Sequence, residues 1–247
     1  MIEITKLKKI YSGKNNKVCA LNNISLEIKK GEFISIVGPS GCGKTTLLKI
    51  CAGLIKPTSG KIEYVGKNGK RIGIVFQNSV LLPWRTVREN IFLPLELQKI
   101  KNVQKAKKSV SSIVELVGLN EFTDCYPFEL SGGMKQRVAI ARALITSPNV
   151  LLMDEPFGSL DELMRNKLNI DLLNIWRKLR PTVLFVTHSV SEAILLSDKI
   201  IILSDRPGSI KDIVTVDLKR PRSVDMKITK EFQEYVKWVR QKIELNN

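Results

Sequence analysis

The sequence is short of the residues that several kinds of site would need. It holds one histidine in 247 residues, which excludes a metal site built from several imidazoles. Its four cysteines, Cys19, Cys42, Cys51 and Cys125, show no C-x-x-C spacing, which argues against a zinc site and a disulfide framework. No stretch approaches the run of about 18 apolar residues that a membrane-spanning helix needs. The longest candidates, 183–186 and 199–203, are strand-length. The opening Met-Ile-Glu-Ile-Thr-Lys lacks the apolar core of a secretory signal, so a cytosolic location is expected. There is no internal repeat and no low-complexity linker.

The bulk composition is that of a soluble globular protein, with 43% hydrophobic and 26% charged residues. The length suits one large α/β domain, or a core with an inserted subdomain. The net charge of +16 is compatible with nucleic acid, an anionic membrane surface, or a solvated lysine-rich surface. The lysines are scattered, with a loose cluster at Lys99, Lys101, Lys105, Lys107 and Lys108 that no aromatic residue interrupts. Charge alone does not choose a partner.

Apolar and polar residues alternate over 2–10 and 21–28, as in half-buried strands, and 33–37 is a short apolar run. Segments 61–65 and 71–76 flank Gly66-Lys67-Asn68-Gly69, and the Asn-Gly step predicts a hairpin between them. The middle of the chain carries helical spacing over 87–98 and 103–117, with Gly118 as a stop. Ser131 opens a further helix to about Ile145, before Pro148. The last third alternates strand and helix: strands at 150–153, 183–187 and 199–203, helices at 160–179 and 190–196. That order predicts a mostly parallel sheet. An amphipathic helix is expected over about 225–245, with Phe232, Tyr235, Val236, Trp238, Val239 and Ile243 on its packing face.

Gly38-Pro39-Ser40-Gly41-Cys42-Gly43-Lys44-Thr45 fits G-x-x-x-x-G-K-[ST] between a strand and a helical stretch over 45–54. The glycines let backbone N–H groups converge on phosphate oxygens, and the helix N-terminus adds positive potential. Lys44 would reach the β- and γ-phosphates, and the Thr45 hydroxyl would ligate Mg²⁺. Asp154 and Glu155 end the apolar run 150–153. At the C-terminal edge of a parallel sheet, Asp154 suits Mg²⁺, and Glu155 is placed to orient and deprotonate an attacking water. His188 follows another apolar strand. A lone histidine is more often incidental than functional, but this position points to a γ-phosphate contact. Gln77 ends the run 72–76, where an amide suits the metal or the water; taken alone it reads equally as a loop residue.

Leu130-Ser131-Gly132-Gly133-Met134-Lys135-Gln136-Arg137 decides among the P-loop classes. It resembles the signature of ABC ATPases, in a variant found among importer subunits, and the resemblance covers the chain from about Ile2 to Leu218. It implies an α/β fold: a P-loop NTPase (RecA-like) core with an N-terminal antiparallel β subdomain and an inserted α-helical subdomain. The expected division is 1–82 and 148–220 for the core with its β subdomain, 83–147 for the helical subdomain, and 221–247 for a C-terminal helix. By the same resemblance Tyr11 stacks on adenine, Thr46 joins the P-loop residues around the nucleotide, and Gln77 is the Q-loop glutamine and an Mg²⁺ ligand. Gly158-Ser159-Leu160-Asp161 is the D-loop, and His188 is the switch histidine. Ser131, Gly132, Gly133 and Gln136 would face ATP held by a second copy of the chain, in a head-to-tail dimer.

Leu81-Leu82-Pro83-Trp84-Arg85-Thr86-Val87, Arg206-Pro207-Gly208 and Pro221-Arg222 further resemble the nitrate, sulfonate and taurine importer group, which includes thiamine-precursor importers. That implies a membrane permease dimer as partner, an extracytoplasmic solute-binding protein acting indirectly, and a peripheral place on the cytoplasmic membrane face. Trp84 would be a contact anchor or a core residue of the insert. Thr45 stands where many relatives have serine, Lys135 where glutamine is commoner, and the 66–70 turn is short, which leaves details of the β subdomain open. A soluble ABC ATPase acting on nucleic acid or ribosomes is the alternative. Its support is the +16 charge; against it, the chain has no long coiled-coil insertion and no second ATPase unit. No nucleic-acid partner is therefore expected.

Overall fold

The run Phe33–Val37 (β3) is buried along its whole length, as a strand covered on both faces must be. The structure, a computed structural model, describes residues 1–13, 16–65, 70–100 and 102–244. Around β3 stand β5 (Ile72–Val75), β6 (Val150–Asp154), β7 (Thr182–Val186), β8 (Lys199–Leu203) and β9 (Ile210–Thr215), in a six-stranded sheet of order β5-β6-β7-β3-β8-β9. All pairings are parallel except β8 with the edge strand β9.

Side chains alternate across these strands and so feed two cores. Phe33, Leu151, Met153, Val183, Phe185, Ile200 and Ile202 point to one face, where they meet α5 (Glu162–Leu179) and α6 (Val190–Leu196). Ile34, Ile36, Val150, Leu152, Leu184, Val186 and Ile201 point to the other. There they meet α1 (Lys44–Ala52) and a separate antiparallel sheet of β1 (Ile2–Ser12), β2 (Lys17–Ile28) and β4 (Ser59–Tyr64). Helices α2 (Val87–Leu97), α3 (Val103–Leu116) and α4 (Gly132–Leu144) lie between β5 and β6 in the chain. Thr86 and Glu89 form a capping box at the start of α2, and Gly118 takes a left-handed φ of 66° just past α3.

The expected hairpin over 61–76 does not form. Strand β4 pairs with β1, Tyr64 opposite Ile2, while β5 pairs with β6, Ile72 opposite Val150. The Asn-Gly signal is local, whereas β5 is fitted against α4. A Cβ on Gly73 would lie 2.5 Å from the Ala143 carbonyl oxygen, so long-range packing outweighs the turn preference. The turn itself, 66–69, lies outside the described residues. The expected helix over 225–245 is divided: a 3₁₀ segment Val224–Ile228 precedes α7 (Lys230–Glu244). Thr229 stands between them, its hydroxyl accepting from the Phe232 N–H at 3.4 Å. Phe232, Val236 and Val239 are buried in the main core, so α7 packs on the domain.

Two side chains tie this layer together. Arg222 is buried and donates to the carbonyls of Ile194 in the last turn of α6 and Ser197 just past it, and of Val216 and Leu218 after β9; burial pushes its pKa down to about 10. Trp176 is 2% exposed, donates to the Pro181 carbonyl at 3.1 Å, and has the Arg180 and Arg220 guanidinium groups over its ring at 4.4 and 4.3 Å. Trp176→Ala should cost about 3–5 kcal/mol and lower Tm by roughly 6–20 °C in a thermal melt.

Candidate nucleotide site

The loop between β3 and α1 turns on its glycines. Gly43 has φ 105°, and a Cβ there would lie 2.8 Å from the Ala20 carbonyl oxygen. Gly38 has φ 153°, and its Cβ would lie 2.8 Å from the Leu203 carbonyl oxygen. A side chain at either position would strain the backbone and collide with a neighbouring strand. The loop closes around Lys44. That side chain is buried, and its Nζ donates to the carbonyls of Gly38 and Pro39, both at 2.9 Å. The ammonium is thus fixed at the N-terminus of α1, where helix N–H groups are free to meet an anion. Cys42 is buried beside it, 3.9 Å from Nζ; burial pushes the thiol's pKa up, so it stays protonated. Tyr11 is exposed, with its hydroxyl 3.4 Å from that of Thr46.

Next to this cradle, the Thr45 hydroxyl donates to Asp154 Oδ1 at 3.0 Å. Burial raises the pKa of Asp154, with the Thr45 hydrogen bond opposing the shift and the charge of Glu155 adding to it. A bound cation would offset that cost. Glu155 sits at φ 46°, a left-handed turn held by its N–H on the Val186 carbonyl at 2.9 Å. Its Oε2 lies 3.2 Å from His188 Nδ1. A Cβ on Gly158 would be 3.5 Å from Gln77 Nε2 and 3.6 Å from Glu155 Oε2, so both side chains border the same glycine. Thr45 lies in the first turn of α1, and Gln77, Asp154, Glu155 and His188 border the P-loop from the C-terminal ends of parallel strands or the turns after them.

The signature residues stand apart from this group. The Ser131 hydroxyl caps α4 by accepting from Met134 N–H at 3.3 Å, and Asp161 caps α5 by accepting from Met164 N–H at 2.9 Å. Among the described residues no hydrogen bond joins the signature to the P-loop. Gln136 is a correction. Expected to face a partner's nucleotide, it is 4% exposed and its amide donates to the Phe76 carbonyl at 3.4 Å. A side chain so covered supports the end of β5 and cannot reach a second subunit.

Three supporting residues escape the sequence reading as parts of the site. Arg142 donates to the carbonyls of Ser79 and Val80, at 2.7 and 2.8 Å, and so holds the segment after Gln77. Arg206 donates to the Gly41 carbonyl at 3.2 Å. Gly208 lets the chain pass under the P-loop: a Cβ there would fall 2.0 Å from the Cys42 carbonyl oxygen. Gly208→Ala must therefore displace the loop. At about 1–3 kcal/mol for forced overpacking, ATP affinity should fall roughly tenfold in a nucleotide titration.

Residues 21–158 match the family model described as ABC transporter. The chain belongs to the ABC transporter family. An uncharacterised ABC transporter ATP-binding protein of Methanocaldococcus jannaschii is 50% identical over 243 residues, covering 96% of this chain and 88% of that one. An aliphatic sulfonates import ATP-binding protein, SsuB of Bacillus cereus, is 46% identical over 98% of this chain and 96% of its own. The nitrate import ATP-binding protein NrtD of Synechocystis is 44% identical over 93% and 89%. A solved ABC transporter cassette in a dimeric post-hydrolysis state, bound to ADP and phosphate, superposes with a TM-score of 0.77. It is 33% identical and covers 89% of this chain and 100% of its own.

As an ABC ATPase the chain binds ATP, and its donor set fits Mg²⁺. Thr45, Asp154 and Gln77 offer hard oxygens but too few for an all-protein cage. Among the described residues no cluster of three His, Cys, Asp or Glu side chains is placed to hold a metal. An ion that completes its shell with water and substrate phosphate suits such a site.

Proposed function

We propose that this ATPase energises an importer for a small solute, working as a dimer against a membrane permease on the cytoplasmic face of the membrane. The observation that carries the catalytic reading is the Glu155–His188 contact at 3.2 Å, set one residue beyond the Asp154 that Thr45 binds. P-loop N–H groups and the Lys44 ammonium hold the ATP phosphates. Glu155 takes the proton of the attacking water as its oxygen bonds to the γ-phosphorus, and ADP leaves with the bridging oxygen. His188 orients the Glu155 carboxylate and faces the γ-phosphate. Mg²⁺ held by Thr45, Asp154 and Gln77 would neutralise charge gathering on the phosphate oxygens. Tyr11 packs on the adenine from the exposed C-terminal end of β1. Ser131, Gly132 and Gly133 of one copy offer the N-terminus of α4 to the γ-phosphate held by the other. ATP thus closes the dimer, and hydrolysis opens it.

The permease side rests on the groove between α2 and α3. Its volume is about 820 Å³, and Trp84, Arg85, Phe92, Val110 and Val114 are among its lining residues. Trp84 is 70% exposed at this groove, which favours the anchor over the core role. A short helix of the permease is the occupant this reading predicts. The importer relatives at 46% and 44% identity support a sulfonate-like or nitrate-like solute, with specificity left to the permease and a solute-binding protein.

The test is recovery of the tagged Glu155→Gln protein with Mg-ATP from gently solubilised cells. A multi-span membrane protein should come with it, and its identity leads to the solute. Recovery of nucleic acid or ribosomes alone, surviving moderate salt, would overturn the importer reading. Adding Trp84→Ala should weaken the capture by about 2 kcal/mol, roughly 30-fold, if the tryptophan is an anchor.

A further inference from the structure

A run of contacts leads from the signature toward the switch histidine within one chain. Gly132 and Gly133 open α4 against the D-loop and the start of α5. A Cβ on Gly132 would come to 3.2 Å from Leu160 Cδ2, and one on Gly133 to 2.8 Å from Met164 Sδ. One residue further, Arg165 turns back and its Nη2 donates to the Leu160 carbonyl at 2.8 Å. The same guanidinium faces Glu192 on α6. Glu192 is 5% exposed, and its Oε2 accepts from the Thr187 hydroxyl at 2.5 Å. That hydroxyl in turn accepts from the Ser189 N–H at 3.0 Å. Thr187 and Ser189 flank His188, the first bonded to the buried carboxylate and the second held through the Thr187 hydroxyl.

The run is open at a single joint. Arg165 Nε lies 3.9 Å from Glu192 Oε1, beyond hydrogen-bond distance, and is buried without a hydrogen-bond partner among the described residues. Asn169 Oδ1 is in the same condition, while Asn169 Nδ2 reaches Glu192 Oε1 at 3.4 Å. Buried polar atoms are nearly always paired. Two unpaired atoms around one carboxylate mark a joint with a second arrangement close by. A movement of about 1 Å of the guanidinium toward α6 would close the Arg165–Glu192 hydrogen bond.

We propose that Arg165 and Glu192 are positioning residues that carry a displacement of the signature and D-loop to the loop of His188. Engagement of the signature by the second copy's ATP then sets the switch histidine at the chain's own ATP. This rests on the dimeric ATPase reading above. The link is a chain of packed side chains and hydrogen bonds with one two-position joint, which is the physical form that coupling requires. A polar cluster that only stabilises the fold would hold the same residues and transmit nothing.

The single histidine makes the test direct, because labelled imidazole gives one NMR signal. In Arg165→Met and in Glu192→Gln the His188 signal should move, kcat should fall at least tenfold, and KM for ATP should stay within about twofold. The double variant should be no slower than the slower single, as for two members of one path. Multiplying effects in the double variant, or an unmoved imidazole signal in Arg165→Met, would overturn the proposal. So would a lower Tm without a kcat change. If either variant fails to fold, Arg165→Lys keeps the charge but cannot bridge Leu160 and Glu192, and should move the signal likewise. A wild-type chain that hydrolyses no ATP would sink the ATPase reading instead, leaving the imidazole signal of the free chain to decide the relay.

Discussion

Glu155→Gln should lower ATP turnover by roughly 10²–10⁴-fold, the range for removing a positioned general base. ATP binding should survive, because glutamine keeps the shape of the side chain and none of the P-loop contacts involve Glu155. The backbone turn should also survive: Glu155 is held at φ 46° by its N–H on Val186, a bond that does not depend on the carboxylate. What glutamine cannot do is accept the proton of the attacking water. Burial around the adjacent Asp154 already disfavours charge there, with Glu155 adding to the shift, so the neutral amide should bind ATP at least as tightly as the acid. Steady-state phosphate release and a separate titration with labelled ATP would distinguish the two effects. A variant within tenfold of wild type in turnover would show that the proton goes elsewhere, leaving Glu155 as an orienting group.

The parts of this fold that are legible in the sequence are those with strong local grammar. The P-loop, the acidic end of β6 and the Ser131 cap each combine a turn or cap residue with an apolar run, and each falls within a residue or two of its expected place. The parallel sheet follows from strand and helix alternation. The failures share a cause. The Asn-Gly turn promises a hairpin, but the partners of β4 and β5 are chosen by burial against distant segments, Ile2 and Val150. Gln136 stands between the polar, half-buried Lys135 and Arg137, and nothing local tells that its own helix position turns fully inward. Arg142 and Arg206 bind backbone carbonyls 62 and 165 residues away, which no spacing rule reaches. Gly208 is visible as a turn glycine, but its need for closeness to Cys42 arises only once the strands are stacked.

Lys44 offers the second large effect and a sharper question about how charge is used. Its ammonium is buried at 7% exposure and bound to two loop carbonyls, so it both shapes the P-loop and supplies the positive charge for phosphate. Lys44→Ala removes both roles. Truncating one partner of a buried, hydrogen-bonded charge pair costs about 2–5 kcal/mol, so ATP affinity should fall roughly 30-fold to several thousand-fold. Lys44→Arg separates the roles. It keeps the charge, but a planar guanidinium presents its donors in a rigid fork and does not fit a pocket built for a compact ammonium between Gly38 and Pro39. If geometry governs, the arginine variant should bind ATP nearly as poorly as the alanine variant. If charge alone governs, it should recover most of the affinity. The carbonyls at 2.9 Å on both sides leave little room for the larger group, so loss in both variants is the expected result.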